Sequence, residues 1–129
     1  MTVSEESRPP ALEVSLRPGA GDVVLDAAGD LDQTTGPLLS AAVESVLDTP
    51  AVPGKLVVDM SRVAFCDSGG LNALIRAHLR AREAGSELHL LRPTAPVAAL
   101  LRRTGVDQVL LVGPDPAAAF TQEGVPGFA

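Results

Sequence analysis

The stretch that decides the fold is "KLVVDMSRVAFCDSGGLNALIRAHL", Lys55 to Leu79. Its first six residues, Lys55–Met60, are short, β-branched and almost continuously apolar, which predicts a buried strand at the centre of a sheet. After "DSGG" the side chains that form one stripe recur at a spacing of three and four residues, which predicts a helix; they are Leu71, Leu74, Ile75, His78 and Leu79. Gly85 is suited to end that helix, so the stretch forms a strand, a corner and a helix.

The flanking segments extend this unit on both sides. "LEVSLRPG" alternates apolar and polar residues from Leu12, and "VVLDAAG" returns at Val23–Gly29, so the two predict a hairpin that turns at Pro18–Asp22. "GPLLSAAVESVL" has helical spacing, with Thr34 or Thr35 as its cap and Pro37 in its first turn. Strand, helix and strand then follow; they are Glu87–Leu91, Ala95–Gly105 and Gln108–Val112.

The order ββαβαβαβ predicts a single α/β domain over residues 11–113, with a mixed sheet flanked by helices. Residues 1–10 are polar and end in two prolines, which indicates a disordered leader, and residues 114–129 hold at most one short helix. The 129 residues are 46% hydrophobic, enough for one buried core.

Charge and composition limit the partners. The net charge is −6 and the chain has no Trp or Tyr, which argues against DNA or RNA as a partner. The first ten residues lack a signal-peptide pattern and no 18-residue apolar run is present, so we expect a cytoplasmic protein without membrane insertion. Cys66 is the only cysteine, which excludes an intramolecular disulfide and is typical of a small core residue.

Three enzyme motifs are incomplete. "GAGD" at Gly19 lacks the third glycine of a dinucleotide loop, and a hairpin turn explains it better. "DLDQT", Asp30–Thr34, matches the D-x-D-x-T string of magnesium-dependent phosphatases, but the further carboxylates for the metal are missing. A hydrolase elbow needs glycine where Cys66 stands, and no histidine is suitably placed. We therefore expect no enzyme, no cofactor and no metal site; the phosphatase stays a third hypothesis.

The residues around Ser68 allow two interpretations of its role. In one, "DSGG" is only a capped helix start, with Asp67 or Ser68 as the N-cap. In the other, the amides of Gly69, Gly70 and Leu71 face an anion, and a phosphate on Ser68 would bring about −1.5 to −2 charges to the positive end of a helix. These readings are equally supported. The arginines at 76, 80, 82, 102 and 103 are typical of a solvated surface, although a partner could use them.

A resemblance favours the second reading. Leu56–Val112 is similar to the STAS domain of bacterial anti-sigma-factor antagonists (anti-anti-sigma factors), through "VVDMS", "CDSGGL", "GSELHLL" and "PVAALLRRTGVDQVLLV". "GDLDQTTGPLL", Gly29–Leu39, resembles the segment that precedes these motifs in the family. The resemblance implies a non-enzymatic protein that binds an anti-sigma factor with a serine-kinase, histidine-kinase-like ATPase fold, and so releases a sigma factor.

The resemblance also implies a site. The kinase would phosphorylate Ser68 and end the complex, and a phosphatase would reset it; the free protein would be a monomer or weak dimer. Around Ser68 it implies a partner-binding set; the set is Asp32, Thr34, Asp67, Gly69, Gly70, Leu71 and Asn72. Gly69 departs from the commonest form, which has a second hydroxyl residue there. The alternative is a STAS subunit of a larger assembly, for example a lipid-transport complex, with no phosphorylation.

Overall fold

The computed structural model describes residues 11–18 and 22–113. Five strands and three helices follow one another in the predicted order, with one additional 3-10 turn. The strands are β1 (Leu12–Pro18), β2 (Val23–Leu31), β3 (Lys55–Cys66), β4 (Glu87–Leu91) and β5 (Leu111–Gly113). The helices are α1 (Gly36–Leu47), α2 (Ser68–Glu83) and α3 (Ala95–Thr104), and the 3-10 turn is Val106–Gln108. The predicted leader, most of the hairpin turn and the tail lie outside the described residues.

The five strands form one mixed sheet in the order β1-β2-β3-β4-β5. β1 and β2 are antiparallel, which confirms the opening hairpin, and β2, β3, β4 and β5 run parallel. β3 is the middle strand, as its continuous apolar sequence predicts. The fold is therefore an α/β domain with a mixed sheet and helices.

The main core lies between the sheet and the helices. Leu25, Leu56, Val58 and Leu90 point from the sheet into one cluster to which all three helices contribute. The alternate residues of the strands point to the other side, where Val24, Val57 and Leu91 form a second, smaller cluster. None of the described helices is long and apolar enough to span a membrane.

An ionic row crosses this second face. Asp59 is buried, and its carboxylate accepts a hydrogen bond from the Arg92 guanidinium at 2.7 Å and from the Ser61 amide at 2.9 Å. Arg17 forms a two-bond ion pair with Asp26 at 2.9 Å and lies 3.9 Å from Asp59. Burial alone would raise the pKa of Asp59, but the hydrogen bonds from Arg92 and Ser61 outweigh it and lower the pKa. The row joins β1, β2, β3 and the end of β4.

β3 is twice as long as the predicted strand Lys55–Met60. Its pairing with β2 advances from Asp26↔Asp59 to Ala28↔Arg62, and then from Gly29↔Val63 to Asp30↔Phe65, so β3 gains one residue at each irregularity. Because of these β-bulges, every third residue of this part of β3 faces the core instead of every second one. The residues that face the core here are Met60, Val63 and Cys66. The apolar run Lys55–Met60 predicts a strand that ends at Met60, and this end is wrong because β3 continues to Cys66.

Two further predictions need correction. The predicted strand Gln108–Val112 begins only at Leu111, because the chain first forms the 3-10 turn after Gly105. Leu79 is half exposed, and α2 instead buries small residues against its neighbours; they are Gly70, Ala73, Ala77 and Ala81, beside Leu71 and Leu74. Gly85 has a φ of +83° and follows the helix, as predicted.

Candidate functional site

The corner between β3 and α2 presents Ser68. Asp67 is the N-cap of α2, and its carboxylate accepts a hydrogen bond from the Gly70 amide at 3.0 Å. Ser68 is the first residue of the helix and is exposed, and no other group among the described residues bonds to its hydroxyl. Because Asp67 performs the capping, the Ser68 hydroxyl is available for chemistry at the surface.

The same geometry corrects the expected anion site. The Gly70 amide is bonded to the Asp67 carboxylate, and the Leu71 amide is bonded to the Asp67 carbonyl oxygen at 2.9 Å. Two of the three amides expected to face an anion are therefore already engaged, and Leu71 is buried in the core. A phosphate on Ser68 would still lie at the positive end of a sixteen-residue helix. Its electrostatic support comes from the helix end, without a cradle of open amides.

The turn from Asp32 to Thr35 is tied together by its own side chains. The Asp32 Oδ1 atom accepts hydrogen bonds from the backbone amides of Thr34 at 2.9 Å and Thr35 at 3.0 Å. The buried Thr35 hydroxyl donates a hydrogen bond to the Asp30 carbonyl oxygen at 2.9 Å and accepts one from the Asp32 amide at 2.9 Å. Thr35 occupies the N-cap position of α1 but makes no capping bond, so the predicted capping role of the threonine side chains is wrong. Asp32 instead shapes the turn, with Thr34 exposed on it.

This turn lies directly against the Ser68 corner. A Cβ atom at Gly69 would lie 2.7 Å from the N, Cα and Cβ atoms of Gln33, closer than such contacts occur. A Cβ atom at Gly70 would overlap the Leu31 carbonyl oxygen and approach the Cys66 sulfur at 2.9 Å. Two backbones therefore meet where side chains are absent, which is a usual role of glycine. The structure brings the predicted residues of both segments together at one end of the sheet.

Two further residues of this surface are not indicated by any local sequence pattern. Gln33 is exposed and touches Gly69, and only the packing of two distant segments reveals it. Phe65 is 49% exposed and lies three residues before Ser68. Without the second β-bulge Phe65 would follow the buried Val63 on the core side of β3, but the extra residue at this bulge turns it outward. Asn72, one helical turn after Ser68, is exposed as expected.

The groups considered for catalysis lie apart from Ser68. His78 stands ten residues further along α2, which is about 15 Å on a helix. Its pKa is lowered by burial and by the nearby Arg82 charge. His89 is buried in β4, where its Nε2 atom lies 2.9 Å from a Glu87 carboxylate oxygen. Neither histidine therefore pairs with Ser68 as a base in the part of the chain that the structure describes.

Cys66 is buried at the end of β3, as its sequence context predicts. Burial, and to a lesser extent the negative charge of Asp67, raises the pKa of its thiol to about 11. The thiol therefore remains protonated at neutral pH and is a poor nucleophile. In the described part of the chain, no three His, Cys, Asp or Glu residues lie close enough together to hold a metal ion.

The fold and the site define a small α/β domain with one mixed sheet, which exposes a serine on the first turn of a helix beside an acidic turn. A family model described as "Mlab, STAS domain" matches residues 14–113. The chain belongs to this STAS domain family, and both the resemblance to STAS domains and the predicted α/β fold class are confirmed. No curated protein matches the chain.

Solved structures agree on the fold. The crystal structure of an anti-sigma factor antagonist from Mycobacterium paratuberculosis is similar, with 26% identity, a TM-score of 0.75, and coverage of 89% of this chain and 96% of that one. SpoIIAA, an anti-sigma factor antagonist and cell fate determinant of Bacillus, is 18% identical in its unphosphorylated form, with a TM-score of 0.68 and coverage of 83% and 93%. The phosphorylated form of SpoIIAA is also 18% identical, with a TM-score of 0.62, and the match covers 83% of this chain and 96% of that one.

The same fold occurs inside a much larger protein. The structure of the murine anion transporter Slc26a9 is 21% identical, with a TM-score of 0.66, and the match covers 78% of this chain and 17% of that one. At such identity the match concerns the fold alone. STAS folds thus occur both as small antagonists and as parts of transporters.

Proposed function

We propose that this protein is an anti-sigma-factor antagonist that is switched off by phosphorylation of Ser68. The observation that carries the proposal is the exposed Ser68 hydroxyl at the start of α2, left free by the Asp67 cap. The likeness to antagonists over almost the whole of their chains supports it. In this proposal the unphosphorylated corner binds an anti-sigma factor of the serine-kinase, histidine-kinase-like ATPase type, and the sigma factor is released.

Phosphorylation would change binding more than folding. A phosphate adds about −1.5 to −2 charges at the N-terminus of α2, where negative charge is favourable by about 0.3–1 kcal/mol. A partner seated on the corner would instead meet new bulk and charge beside the carboxylates of Asp32 and Asp67. Loss of about 1.4 kcal/mol of binding free energy already weakens affinity tenfold. A phosphatase would restore the hydroxyl and with it the complex.

The kinase partner and ATP supply the test. The wild type should gain one phosphate and Ser68→Ala none, and Ser68→Asp should lower partner affinity at least about tenfold while its thermal unfolding is unchanged. Ser45→Asp adds the same charge to an exposed serine of α1 and should bind normally. A phosphate on another residue, or normal binding by Ser68→Asp, would refute the switch.

A second candidate is a STAS subunit of a larger assembly, for example a lipid-transport complex, in which Ser68 is never modified. The likeness to part of the Slc26a9 transporter favours it, since there the fold serves inside a larger protein. Isolation of the protein from its native cells separates the two. Co-purification with transporter subunits and an unmodified Ser68 would favour the assembly, whereas a kinase partner would favour the antagonist. As an antagonist the protein would be cytoplasmic and, when free, a monomer or weak dimer.

A further inference from the structure

The contact between Gln33 and Gly69 joins two segments that are distant in sequence. Gly69 follows Ser68 directly, and the Gln33 backbone fills the space that a side chain at position 69 would need. Of the three Gln33 atoms that lie 2.7 Å from such a Cβ, N and Cα belong to the backbone, and a rotamer change moves none of the three. Any residue other than glycine at position 69 therefore has to displace the turn.

The turn is also too constrained to adjust locally. The Asp32 carboxylate holds the amides on the far side of Gln33, and the buried Thr35 hydroxyl holds the carbonyl oxygen of Asp30 on its near side. Gly36 continues the contact, because a Cβ at this position would lie 3.2 Å from the Ala73 Cβ on α2. A displacement at Gln33 would be transmitted to these bonds, since packed backbones move as a unit.

The backbone of the exposed Gln33 is consequently held against Gly69, the residue next to the exposed Ser68. We propose that Gln33, held in place by Gly69, is a specificity-determining residue, which the kinase partner contacts together with Ser68. This inference rests on the proposed function. It adds the surface through which the partner would discriminate between this chain and relatives that have a side chain at position 69. On the partner, this surface calls for a hydrogen-bonding group that pairs with the Gln33 amide and for basic side chains that face the carboxylates of Asp32 and Asp67.

The contact predicts a particular pattern among variants. Gly69→Ala and Gly69→Ser should lower partner affinity and the rate of Ser68 phosphorylation by about tenfold or more, and by similar factors, because the Cβ atom and not the hydroxyl displaces the turn. Gln33→Ala should weaken binding by several-fold with the turn intact. Gly54→Ala is the matched control, because a Cβ at this exposed glycine meets nothing closer than 4.0 Å; it should bind as the wild type does.

A double-mutant cycle with the kinase partner tests the coupling. Once Gly69→Ala has moved the turn, adding Gln33→Ala should change affinity little, so the two effects should be far from additive. Hydrogen exchange at the Thr34 and Thr35 amides reports the turn independently, and it should accelerate in Gly69→Ala with the core of the sheet still protected. Faster exchange throughout the sheet would mean general unfolding, and the Gln33→Ala affinity, measured on an intact turn, then decides.

The inference is overturned if Gly69→Ala or Gln33→Ala binds and is phosphorylated like the wild type, or if their effects simply add. The proposed function fails in a different way. In that case the wild type itself shows no phosphate at Ser68, or Ser68→Asp binds normally.

Discussion

Removal of the Asp67 cap separates two roles of one residue. In Asp67→Ala the buried Gly70 amide loses its acceptor at 3.0 Å. Loss of an N-cap costs about 0.5–2 kcal/mol, and a buried amide left unpaired costs about 1–3 kcal/mol. Both ranges describe the same lost bond, so we expect the free energy of unfolding to fall by about 1.5 kcal/mol. For a domain of this size that is a decrease in Tm of about 6–12 °C.

Asp67→Asn is the matched variant. Asparagine caps a helix as well as aspartate does, so its amide oxygen can keep the bond to Gly70, and only the charge at the helix end is lost. We expect a loss of about 0.3–1 kcal/mol. Urea unfolding of both variants gives the comparison, with the midpoint shifting at constant m-value. Equal destabilisation of both variants, or none in Asp67→Ala, would refute the capping argument, and partner binding by Asp67→Asn isolates the role of the charge.

Three further predictions concern other parts of the domain. Asp59→Asn should cost about 2 kcal/mol near pH 7. Because folding lowers the pKa of Asp59, this cost is full above the ordinary value of 3.8 and is lost as the pH falls from there through the lower pKa of the folded state, as unfolding measured against pH would show. Phe65→Ala should weaken partner binding by about 1–2 kcal/mol with little loss of stability, whereas Val109→Ala, at an equally exposed apolar residue, should not, and titration calorimetry of both decides. Gly70→Ala should fail to fold or lose several kcal/mol in urea unfolding, because its Cβ overlaps the Leu31 carbonyl oxygen, and a wild-type midpoint would contradict that packing.

Periodicity and capping signals predicted much of the fold. β4 has the predicted bounds, the order of strands and helices is the predicted one, and α2 is capped by one of the two predicted residues. These features depend on residues close in sequence, where apolar spacing and an acid before a helix have a direct physical meaning. The mixed sheet followed from that order.

The remaining features depend on contacts between distant segments. A β-bulge adds a residue to one strand only, so the alternation of β3 ends at Met60 although the strand continues to Cys66. The burial of Thr35 and the position of Gln33 follow from the packing of the Asp32 turn on α2, which no local pattern encodes. The two glycines after Ser68 were the available signal. Glycine is unfavourable inside a helix by about 1 kcal/mol, so a pair there indicates close approach of another backbone.

The central claim is that Ser68 carries a reversible phosphate. Intact-mass measurement of the protein isolated from its native cells, unstressed and stressed, tests it most directly, with fragmentation to locate the modification. We predict one phosphate on Ser68 whose occupancy changes between the two conditions and which is absent from Ser68→Ala. An unmodified Ser68 under every condition, in cells where the kinase partner is present and active, would contradict the account.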